Sequence, residues 1–239
     1  MFKTEAIILS KRKYSDNSFI VTFYCLEKGM LTALVRIPKS KTANLKQNLF
    51  FPLNIIDCEI EYKSTKNIQI LKCCNRQIVL NEICNNIYKT CIAQFIAETI
   101  LKSIKEEEAN INLYNKIKTT ILLLEKSTKF SNLHIAFLNE FSRILGFGIT
   151  NNFCSEFSYF NLREGMFLPV FTTENESEDQ NNSKIISSIL ELNLDTFENY
   201  NIKNEHKQIF LNVIMKYYKY HFNGIFHNKS LEILMEIFD

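Results

Sequence analysis

Glycine is scarce, with five in 239 residues. So few leave little room for a phosphate-cradling loop, which needs close backbone approach. The chain has no G-x-G-x-x-G, no G-K-[ST] loop, no nucleophile elbow and no H-E-x-x-H, so the common nucleotide-binding and hydrolytic motifs are missing. No apolar run reaches the roughly 18 residues that span a bilayer. The start, MFKTEAIILSKRK, has too short an apolar stretch and no small-residue cleavage site for a secretory signal, so a cytoplasmic protein is expected. No C-x-x-C pair occurs among the seven cysteines, at positions 25, 58, 73, 74, 84, 91 and 154. An odd count without a secretion signal points to reduced thiols. Cys84 and Cys91, one heptad apart on an expected helix, read as small core residues. Glu106 to Glu108 and Glu174 to Asp179 are clustered acids in polar contexts, where nothing tunes them for acid–base work. No carboxylate set is placed to hold metals for nucleic-acid hydrolysis.

What is present is an ordinary globular balance, 46% hydrophobic and 23% charged, enough for one large domain or two small ones. Net charge is only +2, but it is unevenly divided. Residues 1–76 hold 13 Lys/Arg against 6 Asp/Glu, and residues 77–239 hold 15 against 20. A basic module joined to a mildly acidic remainder is a partner signal. The basic charge is densest from Arg36 to Phe51, RIPKSKTANLKQNLFF, with Arg36, Lys39, Lys41 and Lys46 and no acid. Spaced cations between strands suit a phosphate backbone, because each neutralised phosphate releases counterions. A solvated surface loop is the plainer alternative.

Strand signals fill the first third. Residues 3–11, 19–26, 30–37, 53–62 and 68–74 are apolar, β-branched or alternating, and Gly29 turns the second into the third. Five short strands with one long interruption after the third predict a small closed barrel of the OB-fold type, a fold whose face and loops bind oligonucleotides. Single strands need cations plus aromatic faces. The candidates are Lys11, Arg12, Lys13, Tyr14, Arg36, Lys39, Lys41 and Lys46, with Phe19, Phe50 and Phe51 nearby in sequence. Phe19, inside an apolar strand, reads as core; Tyr14 stays open between packing and stacking.

From Arg76 the period changes to helical. Helices are expected over 77–105, over 111–126, from a cap at Ser131 to Gly146, after a cap at Ser183, over 204–223 and from a cap at Ser230. Residues 149–171 read as irregular but aromatic, and residues 172–183 as a mobile acidic loop. His134 reads as a packed or surface residue, since no second ligand lies at metal spacing. The expected division is a barrel domain, 1–76, and a helical domain, 77–239, with an irregular insertion at about 149–183; the class is α+β.

Four segments in order, TEAIILSKRKYSDNSFIVTFY, EKGMLTALVRIPKSK, FSRILGFGI with FNLREGMF, and YYKYHF with SLEILMEIF, make the chain resemble the RecO family of bacterial recombination mediators. The resemblance runs nearly end to end. It implies a non-enzymatic protein of DNA repair and homologous recombination that binds single- and double-stranded DNA and anneals complementary strands. Implied partners are RecR and the C-terminal tail of the single-stranded DNA-binding protein, with which it helps load recombinase; nucleoid association would follow from DNA binding. Arg36 and Lys39 match basic positions of the family's loop after the third strand. Many members carry four zinc cysteines in the central insertion, whereas Asn151 to Phe171 keeps only Cys154. One thiolate cannot build a tetrahedral site, so no zinc or other cofactor is expected. Phe153, Phe157, Tyr159, Phe160, Phe167 and Phe171 are expected to pack in its place. The competing reading is a protein–protein adaptor whose helical domain docks an acidic, hydrophobic peptide tail, with the barrel only structural.

Overall fold

Strand β1 (Phe2–Ser15) is the longest element of the sheet and pairs with both β2 (Ser18–Cys25) and β4 (Ile55–Glu61). β3 (Gly29–Arg36) pairs with β2 on one side and, in parallel, with β5 (Gln69–Arg76) on the other. β4 and β5 then join to close a barrel in the order β1-β2-β3-β5-β4. This is the five-stranded barrel that the strand pattern predicts. The computed structural model describes residues 1–37, 47–104, 108–174, 176–222, 226 and 228–238. The chain divides into two compact units, Met1–Lys126 and Ser127–Asp239. The boundary expected at residue 76 coincides with the end of β5, while the unit containing the barrel continues through three helices.

Alternation sorts the strand residues. Ala6, Ile8, Val21, Phe23, Cys25, Ala33 and Val35 point into the barrel and are fully buried. A buried side chain the size of Phe23 contributes about 2–3 kcal/mol. Ile7 and Leu9 are also buried, on the strand against which the helix Ile87–Ser103 packs. Three core thiols complete the interior: Cys58 faces Cys74 across the β4–β5 ladder, and burial pushes both up to about 12. Burial also raises Cys25, so all three stay neutral and behave as small apolar residues.

Helices α1 (Asn81–Asn85), α2 (Ile87–Ser103) and α3 (Ile111–Lys126) follow. The single helix expected over 77–105 is broken at Asn86, whose side chain accepts the Tyr88 and Lys89 amides and so caps α2. The break also turns Cys84 outward and leaves Cys91 only half-buried, so neither is the core residue expected. α3 is tied to the barrel through Glu5. Its carboxylate accepts Lys118 Nζ at 2.7 and 2.9 Å, Tyr114 Oη at 2.6 Å and the Gln77 amide. Burial alone would raise this carboxyl. The hydrogen bonds from Lys118, Tyr114 and Gln77 outweigh burial and hold it below the ordinary value.

In the second unit, α4 (Leu133–Ile144) is almost wholly buried. Its N-cap is Asn132 rather than Ser131, and the Asn132 amide is spent on the Phe197 and Tyr200 carbonyls. Asn139 likewise donates to the Ile189 and Leu192 carbonyls at the end of α5 (Gln180–Leu190). α6 (Asn204–His221) crosses below, where Tyr218 Oη donates to the Leu138 carbonyl at 2.9 Å. α7 (Lys229–Phe238) ends the chain's described helices, beginning one residue before the expected cap Ser230.

The segment expected to be irregular contains a hairpin, β6 (Tyr159–Asn161) and β7 (Met166–Leu168). Gly165 turns it at φ +63°, and the Asn161 side chain accepts the Arg163 and Glu164 amides. Phe167 packs against Phe153 and Phe160 at 5.3 and 5.4 Å, and Tyr159 against Phe171 at 5.8 Å. Phe157 is half-buried. The acidic stretch is not wholly loose either: Ser177, Glu178 and Ser183 are buried, and Glu178 binds Lys216 at 2.9 Å. Asp179, not Ser183, caps α5; Ser183 instead accepts the Phe160 amide at 2.7 Å. Among the described residues, no helix is long and apolar enough to cross a membrane.

Candidate nucleic-acid interface

After Ile7, β1 leaves the ladder with β4 and pairs only with β2, which pairs in turn with β3, so the two-residue turn Asp16-Asn17 closes one end of a three-stranded arm. Lys11, Arg12, Lys13 and Tyr14, expected to follow the strand, lie within it, and the first three pair with residues 19–21 of β2. Charged side chains have low strand propensity alone; here the β2 partner supplies the ladder. All residues from Lys11 to Asn17 are exposed.

Two bulges set the arm's aim, because the register slips between Ile8 and Ser10 and again between Lys13 and Ser15. An inserted residue bends and twists the strand that holds it. Tyr14 is the extra residue at the second bulge and is 66% exposed, so it is not a core residue. Phe19 is buried, as expected. Phe50 is also fully buried and Phe51 half-buried, which removes Phe50 as a stacking platform.

Directly paired residues share a face of a sheet. Lys11 lies opposite Val21 and Lys13 opposite Phe19, so both stand on the face that continues the barrel interior. The Lys11 ammonium sits 5.5 Å from the Phe19 ring centroid and donates to the Gln47 carbonyl at 3.4 Å. Arg12 lies opposite Ile20, and Ser15 opposite Ser18, which in turn lies opposite Arg36. Arg12 and Arg36 therefore share the outer face. All four cations gather at one end of the β1–β2–β3 ladder, divided between its two faces. Lys13 is paired with Asp16 at 3.3 Å, both largely exposed; such a pair contributes about 0–1 kcal/mol and yields readily to a phosphate. Among the described residues, Arg12 and Arg36 have no carboxylate partner.

Lys39, Lys41 and Lys46 lie outside the described residues. The chain on either side of them is fixed to the barrel. The Ile37 amide donates to the Asn17 carbonyl at 2.8 Å, and the 3-10 turn Gln47–Phe50 is held by Asn54, Arg76 and Lys11. Leu53, at φ +65°, makes the corner into β4, at a cost of about 1–2 kcal/mol for a residue with a Cβ.

The outer face has a floor that strand-level reading missed. Ile20, Leu34 and Ile70 form one row across β2, β3 and β5, half-exposed, with Arg12 at one end and Glu61 at the other. The signal was the alternation in FIVTFYCL, where Phe19, Val21 and Phe23 turn inward and Ile20 and Thr22 outward. A hydrogen bond from Lys72 at 2.7 Å, with Lys63 at 3.7 Å, lowers the Glu61 carboxyl and offsets its charge. No group of three or more metal-ligating side chains occurs among the described residues. Cys154 is exposed. His134 is 2% exposed and stacks on Phe238.

Two family models match the chain: "Recombination protein O N terminal" over residues 1–76 and "Recombination protein O C terminal" over 84–231. Their junction falls just after β5, where the barrel ends. The chain belongs to the RecO family of DNA repair proteins. It is similar to the "DNA repair protein RecO" of Azobacteroides pseudotrichonymphae, 32% identical with each chain covered in full. It is 30% identical to the protein of that description from Flavobacterium psychrophilum, covering 99% of this chain and 98% of the relative. For Flavobacterium johnsoniae the figures are 31%, 99% and 98%.

Proposed function

We propose that the chain is a non-enzymatic DNA-binding mediator of repair and homologous recombination. In this reading the end of the β1–β2–β3 ladder grips phosphates of single- and double-stranded DNA through Lys11, Arg12, Lys13 and Arg36, and Tyr14 stacks on a base. Lys39, Lys41 and Lys46, which follow β3 in the sequence, add further phosphate contacts. A cationic surface that holds two complementary strands relieves their mutual repulsion and so promotes annealing. RecR and the tail of the single-stranded DNA-binding protein are the partners with which it would load recombinase. The observation that supports this reading best is the exposed arm with three consecutive cations next to an outward tyrosine. Fluorescence anisotropy of the full chain with a labelled single strand, at about 50 and 200 mM salt, tests it. Affinity should fall by orders of magnitude between the two. No binding at the lower salt refutes the proposal.

The adaptor reading has one observation in its favour. His134, Lys207, Leu211, Leu234, Met235 and Phe238, with the polar Asn204 and Gln208, line a small pocket among α4, α6 and α7, mainly apolar with one cation, chemistry that suits one side chain of an acidic, hydrophobic tail. The pocket belongs to the second unit and the β1–β2–β3 ladder to the first.

A further inference from the structure

The outer face of β2, β3 and β5 is open over a limited stretch. Ile20, Leu34 and Ile70 lie side by side across it, each half-exposed. Thr22 and Thr32, joined through their hydroxyls at 3.2 Å, border this row on one side. The next outward residue of β2, Tyr24, is buried and stacks on Tyr114 of α3, so the open stretch ends there. Cations stand at both ends of the row. Arg12 begins it, and Arg36 shares the face two residues beyond Leu34 on β3. At the other end Glu61 is paired with Lys72 at 2.7 Å and Lys63 at 3.7 Å, two cations for one acid. The adjoining turn is held from beneath by Gln69, which is 4% exposed. Its side-chain oxygen accepts the Lys63 amide at 2.7 Å, and its side-chain nitrogen donates to the Lys63 and Lys66 carbonyls. A buried amide so bonded fixes the turn's shape, and Lys63 and Lys66 leave the sheet from a set backbone. From Arg12 to Glu61 is four interstrand steps, about 19 Å along the sheet.

We propose that the row Ile20–Leu34–Ile70 separates single from double strands: it seats unpaired bases of one strand crossing β2, β3 and β5, whose phosphates lie on Arg12 and Arg36 at one end and on Lys63 and Lys66 at the other. The proposal rests on the nucleic-acid reading above and deepens it by naming the form of DNA that this face takes and the side chains that choose it. The occupant follows from the chemistry of the face. Half-exposed aliphatic side chains favour an apolar cover. Cations at both ends favour a polyanion. An unpaired strand is both at once, since its base faces are apolar and its phosphates charged. A duplex hides its base faces in the stack and shows the sheet mainly phosphate and sugar. It therefore leaves the row uncovered and is held by the cations alone. The row carries no aromatic ring. Contact with branched aliphatic groups is weaker than ring stacking, which lets bases leave the face when a complementary strand arrives.

The test compares three labelled probes of about twelve units on the full chain at low salt, by fluorescence anisotropy: an oligothymidylate, an abasic deoxyribose-phosphate strand of that length, and a duplex. The wild type should bind the oligothymidylate roughly fivefold or more tighter than the abasic strand. Ile20→Thr with Leu34→Thr should weaken oligothymidylate binding by about fivefold and leave abasic and duplex affinities within about twofold of the wild type. Lys63→Gln with Lys66→Gln should make the single-strand salt slope shallower by about 1.4, roughly 0.7 for each phosphate. Threonine keeps the β-branched shape that a strand favours, and thermal unfolding verifies the fold. Should the threonine variant not fold, the abasic comparison on the wild type still decides. Equal wild-type affinity for the oligothymidylate and the abasic strand overturns the inference and leaves DNA binding standing. So does a threonine variant that loses duplex as much as single strand, or one that keeps the full preference for bases, which would then belong to Tyr14. An unchanged slope in the lysine variant overturns the far end of the track. No binding of any probe by the wild type overturns the nucleic-acid reading itself.

Discussion

Glu5→Ala should destabilise the barrel unit more than any other single exposed-to-core change at its helix contact. Glu5 on β1 accepts both Lys118 and Tyr114 of α3 and the Gln77 amide, and its side chain is 14% exposed against 28% for Lys118. Removing one partner of a fully buried pair costs about 3–5 kcal/mol, because the other is left uncompensated. Lys118 keeps part of its hydration, which brings the expected loss to about 2–3 kcal/mol. For a chain of this size that is a fall in Tm of roughly 5–10 °C. The partner change Lys118→Met removes the orphaned cation, so the double variant should lose less than the two single losses added together. The pH dependence has a definite sign. Glu5 titrates below 4.5 when folded, so its stabilisation is present above the unfolded pKa and is lost as pH falls through the lower folded value. Urea denaturation of the four proteins, at neutral pH and below 4.5, measures all of this. A loss under about 0.5 kcal/mol for Glu5→Ala, or full additivity in the double variant, refutes the reasoning.

Two further outcomes follow from the second unit. Burial first, and then Lys207, lower His134 to about 3 from 6.5. The unfolded chain takes up that proton near 6.5 and the folded chain does not, so stability should fall by up to about 2 kcal/mol between pH 6.5 and 5. His134→Leu should flatten that slope in denaturation curves taken at both pH values. Gly165→Ala should cost about 2 kcal/mol or more, since φ is +63° and an added Cβ would meet the Tyr217 hydroxyl at 2.5 Å. That hydroxyl donates to the Phe147 carbonyl at 2.6 Å, so the shift in Tm should exceed that of an alanine placed at Gly146, which has open space around it.

Much of the fold was legible because the periods were clean. The apolar alternation of β2 and β3 and the 3.6-residue repeat of α3 place those elements within a residue or two of their observed bounds. The arm was not legible, since Lys11 to Lys13 interrupt the apolar pattern of the strand and are held extended by pairing with β2. Periodicity also ran through Asn86 unbroken, and only its side-chain bonds to two amides show that it ends one helix and starts another. The hairpin β6–β7 is three residues a side, too short to display a period. Of the site, charge density found the cations. Which face Lys11, Arg12 and Lys13 each take depends on the bulge between Ile8 and Ser10, which nothing in the residue pattern announces.

The salt dependence of single-strand affinity tests the central claim most directly. With Lys11, Arg12, Lys13 and Arg36 all changed to Gln, the slope of log affinity against log salt should become shallower by about 3, roughly 0.7 for each lost phosphate contact. A slope equal to that of the unchanged protein would contradict the assignment of DNA binding to the end of the β1–β2–β3 ladder.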